Sequence, residues 1–319
     1  MKIALIDLGS NSARMSMAEL TDTGYVERYR RRQMARLSEG MQQDGNLQES
    51  AQTRAISALC DFAKEAEKEN APIIAVATAA VRRAKNGPAF CDRVLAETGI
   101  TLSVISGKQE AYFDFYGVLA SLPEEKDCLI MDLGGGSCEL ILVKNQEMQG
   151  KISLPFGAMT LTDRFFRENS DLAGATDMIT SLFQEVGILE QAKGLPVIAL
   201  GGSAGALPSI DAQLKNQEKP EVHGYSLTLT EMQKIFDLLQ NLSPQERIAM
   251  FSLEPGRADT ICAGILPHLL LLEQLQSPYL KTCTAGLREG ILALLSKLSE
   301  PENIPNPSKI LDFLADLRP

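Results

Sequence analysis

The sequence predicts an α/β protein of two similar domains that share a cleft. The first observation behind this is a strand-and-glycine unit that occurs twice. Residues 4–12 read ALIDLGSNS and residues 128–139 read CLIMDLGGGSCE. In both, an apolar run is stopped by Asp-Leu-Gly and a serine follows. Asp7, Gly9 and Ser12 therefore stand where Asp132, Gly134 and Ser137 stand. An apolar run that ends in an acid and glycines is a buried strand entering a tight turn. Two copies far apart in the chain point to two related domains, each offering its turn to a common cleft. The second observation is that short apolar runs alternate with stretches of helical spacing along the chain. The third is the length of 319 residues, enough for about two domains with sizeable cores.

Taken in order, residues 1–20 form two strands hinged on the first glycine turn, and 24–36 continue the sheet. Residues 37–46 form a loop with Gly40 and Gly45. Leu47, Ala51, Ala55, Leu59, Phe62 and Ala66 recur at helical spacing, which predicts a helix over 47–70. After Pro72, IIAVA (73–77) is a buried strand. TAAVR (78–82) lies at its end, where α/β proteins gather functional groups. Residues 88–98 are helical and 102–105 form a strand. Ser106 and Gln109 make a capping-box pattern, so a helix begins there with Glu110 in its first turn. An acid at that place favours the helix dipole by itself, so its position alone assigns it no chemistry.

The polar stretch PEEKD (123–127) divides the chain into a first domain, 1–124, and a second, 125–300. The second repeats strands through Val143 and over 152–154, then turns at Pro155 and Gly157 into a helix. PVIAL (196–200) is another buried strand, ending in GGSAG (201–205). Gly202 and Ser203 are its ligand-facing candidates, although a close strand–helix junction explains these glycines about as well. Thr230 with Gln233 and Ser243 with Glu246 form capping boxes that frame helices over 231–239 and 245–251. Residues 257–276 are a long helix kinked at Pro267, and TAGLREG (284–290) precedes a last helix. Pro301, Pro305 and Pro307 punctuate a linker, after which 308–319 packs back on the first domain.

Composition narrows the chemistry. The net charge of −10 argues against coating of duplex nucleic acid. Charge is uneven, however: residues 28–36 read RYRRRQMAR, and Arg82, Arg83 and Lys85 add a second basic cluster. A solvated strand face accounts for about half of the first run. A basic lining in an acidic protein otherwise suits a small or linear polyanion entering a cleft. Two histidines, His223 and His268, are too few for a histidine-based zinc site or a Ser-His-Asp triad. Six cysteines without CxxC spacing read as reduced residues of a cytoplasmic protein. The opening MKIALID is too short an apolar run for a signal peptide, and no membrane span is expected. The glycine turns carry the chemistry. Their amides can cradle phosphate oxygens, and Asp132 at a strand end is placed to hold a magnesium ion or its water.

ALIDLGSNS, VATAAVRR, ISGKQEA, MDLGGGSCE, LPFGAMTLTDRF, RADTICAG and GLREG resemble, in that order, the motifs of the exopolyphosphatase/guanosine pentaphosphate phosphohydrolase family. The likeness covers nearly the whole chain. It implies the actin-like ATPase superfamily, with two ribonuclease-H-like α/β domains around a central cleft and none of the extra helical domains of longer members. It places the family's catalytic glutamate on Glu110 and the arginine of its TSALR-like motif on Arg82. The first phosphate loop falls on Asp7, Gly9, Ser10, Asn11 and Ser12, followed by Arg14. The second falls on Asp132, Gly134, Gly135, Gly136, Ser137 and Glu139. Asp7, Asp132 and Glu139 are the implied carboxylates for Mg2+, with Asp132 also counted as catalytic. Cys138 replaces the usual threonine, Ala79 the usual serine, and Ser38 a glycine of the RLGEG-like segment; these departures leave substrate preference and rate open.

The activity implied is Mg-dependent release of terminal phosphate from inorganic polyphosphate or guanosine pentaphosphate, by a cytoplasmic homodimer. A sensor of guanosine tetra- or pentaphosphate with little turnover, and a small-molecule kinase of the same superfamily, are the alternatives. Tight binding without turnover would identify the first, and ATP-dependent phosphorylation of an acceptor the second.

Overall fold

In the computed structural model, residues 1–297 are described apart from 22, 168 and 169. The segment 308–319, expected to pack back on the first domain, lies outside the described residues. The chain divides into one unit made of Met1–Ala120 with the chain from Leu287, and a second made of Ser121–Gly286.

Alternation of apolar residues across the first glycine turn folds as a hairpin. Strands β1 (Lys2–Leu8) and β2 (Ser12–Thr21) pair antiparallel, and β3 (Gly24–Met34) adds antiparallel to β2. Helices α1 (Met41–Asp44) and α2 (Glu49–Lys68) lead to β4 (Ile73–Ala77), parallel to β1. Then α3 (Ala79–Arg83) and α4 (Gly87–Thr98) lead to β5 (Leu102–Val104), parallel to β4, and α5 (Gly107–Ser121) follows. The sheet order is β3-β2-β1-β4-β5. Because side chains alternate across a strand, Ile6, Leu8, Ala13 and Met15 share one face. The helical stripe of α2, with Ala55, Leu59 and Phe62, buries that face as the spacing predicts. Asp7 and Arg14 take the other face.

The second unit repeats the plan. β6 (Cys128–Leu133), β7 (Cys138–Lys144) and β8 (Glu147–Leu154) form an antiparallel meander. Short α6 (Ala158–Leu161) runs into a wide π-type turn at Thr162–Phe166, followed by α7 (Leu172–Gln184) and α8 (Ile188–Gln191). β9 (Val197–Leu200) is parallel to β6. After α9 (Leu207–Leu214) come β10 (Ser226–Leu227), α10 (Leu229–Gln240), α11 (Pro244–Phe251), α12 (Pro255–Ala258) and α13 (Ile261–Leu275). β11 (Leu280–Thr282) lies parallel to β9, giving the order β10-β11-β9-β6-β7-β8. A three-strand meander flanked by two parallel strands is common to both units, so each is ribonuclease-H-like, as the resemblance implies. The short strand β10 is an added edge.

Three differences from the sequence reading have local causes. The sequence reading places 287–300 in the second domain, but α14 (Leu287–Leu295) packs on β1, β2 and β3 of the first unit. Gly290 makes this possible, because a Cβ there would lie 1.8 Å from the Phe113 carbonyl oxygen of α5. An ion pair of 2.9 Å between Arg30 of β3 and Glu289 adds to it. The cap of α10 is Thr228 rather than Thr230: the Thr228 hydroxyl accepts the Glu231 amide, and the Glu231 carboxylate accepts the Thr228 amide at 2.8 Å. The helix expected over 257–276 breaks at Thr260, whose hydroxyl bonds the Gly256 carbonyl, and Pro267 sits inside α13. No helix among the described residues is long and apolar enough to cross a membrane, and all six cysteines are free.

His268 of α13 is fully buried and its Nδ1 bonds the Gly264 carbonyl at 2.8 Å, while Nε2 has no partner. Burial pushes its pKa down to about 4, against a smaller opposing effect of that bond. The unfolded chain therefore takes up a proton below pH of about 6.5 that the folded chain refuses until about 4. Stability is expected to fall as pH drops through that window, by about 3 kcal/mol from this residue. Urea denaturation at pH 7 and pH 4.5 checks it, and His268→Gln should show a correspondingly flatter pH dependence.

Candidate active site

In the first unit, β1 hands over to β2 through a turn closed by the Gly9 amide donating to the Ser12 carbonyl at 3.1 Å. Its other carbonyls are tied back: Ser10 accepts from the Ser38 amide, and Asn11 from Ala35 and Arg36 at 3.1 and 2.8 Å. The amides of Ser10 and Asn11 find no acceptor among the described residues. A turn with its carbonyls engaged and its amides turned outward is suited to an anion. Ser38, one of the departures, thus helps to hold this turn.

Beside it, at the ends of β4 and β5, stand Arg82 and Glu110. Glu110 is 7% exposed, in the first turn of α5. The expected capping box is present, with the Ser106 amide donating to Gln109 Oε1 at 2.9 Å and the Gln109 amide to Ser106 Oγ at 3.2 Å. This box sets where the helix starts and hence where Glu110 points. Arg82 Nη1 donates to Glu110 Oε2 at 3.0 Å and to the Ile105 carbonyl at 2.8 Å, which fixes the carboxylate's orientation. Two groups separated by 28 positions in sequence are thereby joined.

The second unit has the same turn, with the Gly134 amide donating to the Ser137 carbonyl at 3.0 Å. Here the carbonyls of Gly134 and Gly135 are tied back by the Ala158, Met159 and Thr160 amides at the start of α6, at 2.9, 2.9 and 3.2 Å. The repeats diverge one residue pair below the turn. Asp7 faces Arg14 across β1 and β2, whereas Asp132 faces Glu139 across β6 and β7. Burial raises the Asp7 pKa, and the Arg14 and Arg288 charges oppose that. Glu139 is fully buried and accepts the hydroxyls of Ser153 at 2.7 Å and Ser137 at 3.3 Å. Two carboxylates directly opposite on one face give that end of the second sheet an acidic pair, whereas the first sheet sets a carboxylate opposite an arginine there.

A model of the Ppx/GppA phosphatase family covers residues 25–299. The chain belongs to the Ppx/GppA phosphatase family. It is 31% identical over 283 residues to a bifunctional 3-dehydroquinate synthase/phosphatase of Fusobacterium nucleatum, covering 82% of this chain but 42% of that protein. It is 28% identical to a guanosine-5'-triphosphate,3'-diphosphate pyrophosphatase of Pseudoalteromonas translucida, covering 98% of this chain and 62% of that one. This chain thus spans less than two thirds of those two relatives. The crystal structure of an exopolyphosphatase from Cytophaga hutchinsonii superposes with a TM-score of 0.84 at 26% identity, covering 93% of this chain and 98% of that one.

Two of the expected phosphate-binding residues have other partners in the structure. Ser203, expected to bind phosphate, is 1% exposed, and its hydroxyl accepts from Arg257 Nη1 at 3.1 Å. The Arg257 guanidinium also roofs Gly202, where a Cβ would lie 1.8 Å from Nη2. Ser203 and Gly202 therefore seat Arg257, a candidate that sequence reasoning did not single out; its signal is the arginine of RADTICAG. Cys138, at the usual threonine position, turns into the apolar core with Leu133 and Leu140, and burial pushes its thiol well above the ordinary cysteine range. Ala79 is likewise buried, at the start of α3.

Magnesium fits the second unit. A hard divalent ion is held by one or two carboxylates plus waters and phosphate oxygens, and Asp132 with Glu139 offers such a pair. Among the described residues no three acids, histidines or cysteines cluster as a metal site, so substrate oxygens would complete the coordination. Asp7, already beside two arginines, has less need of a cation.

Proposed function

We propose that the chain is a phosphoanhydride hydrolase that releases the terminal phosphate of inorganic polyphosphate or guanosine pentaphosphate. The observation that carries this is the Arg82–Glu110 pair, held at the strand ends next to an anion-ready turn. Membership of a phosphatase family and the names of its relatives support it.

Glu110 orients and deprotonates the attacking water, and Arg82 holds Glu110 and meets the phosphoryl oxygens as charge builds on them. Turn amides at Ser10 and Asn11, with the Ser12 hydroxyl, hold the terminal group for that water, and in the second unit the Gly135 amide and the Ser137 hydroxyl form the corresponding anion turn. Phosphoryl transfer needs mainly positioning and electrostatic stabilisation, which these groups provide. Asp132 and Glu139 would hold Mg2+, which when bound neutralises charge on phosphate oxygens. Within the second unit, Arg257 seated on Ser203 is a further cation suited to phosphate oxygens.

The test is phosphate release by purified protein from long-chain polyphosphate, guanosine pentaphosphate and ATP, with magnesium and again with EDTA. Release from one of the first two, abolished by EDTA and restored by magnesium, is expected. Tight nucleotide binding with no release would replace the hydrolase by a sensor, and phosphorylation of an acceptor by ATP would replace it by a kinase.

A further inference from the structure

The first glycine turn is held from outside by residues 35–39, the segment that follows β3. The Ser38 amide and hydroxyl donate to the Ser10 carbonyl at 3.1 and 3.4 Å. The Ala35 and Arg36 amides donate to the Asn11 carbonyl at 3.1 and 2.8 Å. The Ser10 carbonyl and the Asn11 amide share one planar trans peptide and point opposite ways, so holding the carbonyl aims the amide.

The segment has its own anchor. Arg36 takes a left-handed backbone, with φ of 45°. A residue other than glycine is uncommon there, and the conformation persists only where the surroundings over-determine it. To one side of Arg36, Arg54 Nε donates to the Ala35 carbonyl at 3.0 Å. To the other side, Arg54 Nη2 meets Glu39 Oε2 at 2.6 Å. One planar guanidinium thus grips both ends of the segment. Arg54 belongs to α2, whose Ala51, Ala55 and Leu59 are buried in the core of the first unit, so the grip comes from a packed helix. Stability is a poor account of the pair. The Arg54 and Glu39 side chains are each 38% exposed, and ion pairs in such places contribute little. Geometry is what the pair supplies, because a fixed fork meets two acceptors at once and a lysine ammonium does not.

We propose that Arg54, with Glu39, is a positioning residue for phosphate release: it sets residues 35–39, which set the turn amides that take the terminal phosphoryl group. This rests on the hydrolase reading above and adds to it a helix residue that acts without touching substrate. Without the grip, Arg36 relaxes from its left-handed backbone, Ser38 leaves the Ser10 carbonyl, and the Asn11 amide loses its aim.

The experiment measures phosphate release from long-chain polyphosphate by wild type, Arg54→Met, Arg54→Lys, Ser38→Ala and the double variant Arg54→Met with Ser38→Ala. Methionine keeps a long side chain that suits a helix. Arg54→Met is expected to lower kcat/KM roughly tenfold to a hundredfold, as for a displaced positioning group, and Arg54→Lys by less. Ser38→Ala alone is expected to cost a few-fold. In the Arg54→Met background it should cost nothing further, because the two residues act through one carbonyl. A full Ser38→Ala loss in both backgrounds would mean that Arg54 acts by another route, and would overturn the proposal. Unchanged kcat/KM in Arg54→Met, with only a lower Tm, would overturn it as well. Should Arg54→Met fail to fold, Arg54→Lys combined with Ser38→Ala carries the same comparison. If wild type releases no phosphate, the hydrolase reading fails, and calorimetry with long-chain polyphosphate applies the comparison to affinity. Affinity weakened in Arg54→Met, and there insensitive to Ser38→Ala, supports the positioning role. Affinity equal to wild type, or no binding by wild type, overturns it.

Discussion

Glu110→Gln is expected to lower phosphate release by about two to four orders of magnitude, the usual worth of a positioned general base. The reason lies in what the substitution keeps. Glutamine has the same shape, and its carbonyl can still accept from Arg82 Nη1, so the 3.0 Å contact and the start of α5 should persist. Only the capacity to take a proton from water is removed. Substrate affinity, measured by calorimetry on the inactive variant, should stay within a few-fold of wild type. Turnover that survives the change would show that another group activates the water. Affinity that collapses together with turnover would make Glu110 a binding residue.

Gly157→Ala is expected to have the second-largest effect, although Gly157 carries no functional group. Its backbone is extended, so alanine is conformationally allowed there. The obstacle is contact: a Cβ would lie 2.5 Å from Gly135 C and Gly136 N, and 2.6 Å from the Gly134 oxygen. These are backbone atoms of the second glycine turn and cannot swing aside as a side chain can. The turn must shift, and with it the amides and the Ser137 hydroxyl proposed to hold phosphate. A displacement of about 1 Å in a positioning group can cost about a hundredfold in rate. We expect a fall in kcat/KM of that order, with far-UV circular dichroism unchanged. Gly187→Ala is the control, because nothing lies within 4 Å of a Cβ there. Equal activity in the two variants would mean that the turn tolerates the displacement.

The arginine run 28–36 shows how a sequence pattern divides once folded. Arg28 pairs with Glu19, Arg30 with Glu27 and Arg31 with Glu65, the arginine side chains about half exposed. Exposed pairs of this kind contribute little to stability. The solvated-face reading thus covers much of the run. Arg30 also reaches the buried Glu289 of α14, and Arg32 stands opposite Arg14 across the strands; no local pattern distinguished them from their neighbours.

What the sequence determined by itself is what depends on neighbours in the chain. Apolar runs stopped by Asp-Leu-Gly placed β1, β2, β6 and β7 and both turns, because burial pattern and turn chemistry act over a few residues. Helical spacing placed α2, and the Ser106–Gln109 box placed Glu110 in a first turn, for the same reason. Tertiary structure decided what those groups meet. One repeat sets arginine against its aspartate and the other sets glutamate, so related turns offer different charge environments; only strand register brings those pairs face to face. Arg82 reaches Glu110, Arg257 settles on Ser203 and α14 returns to the first unit through long closures, selected by packing such as the fit of Gly290 against Phe113. Contacts of that kind depend on where distant segments of the backbone come to rest, and no local periodicity encodes that.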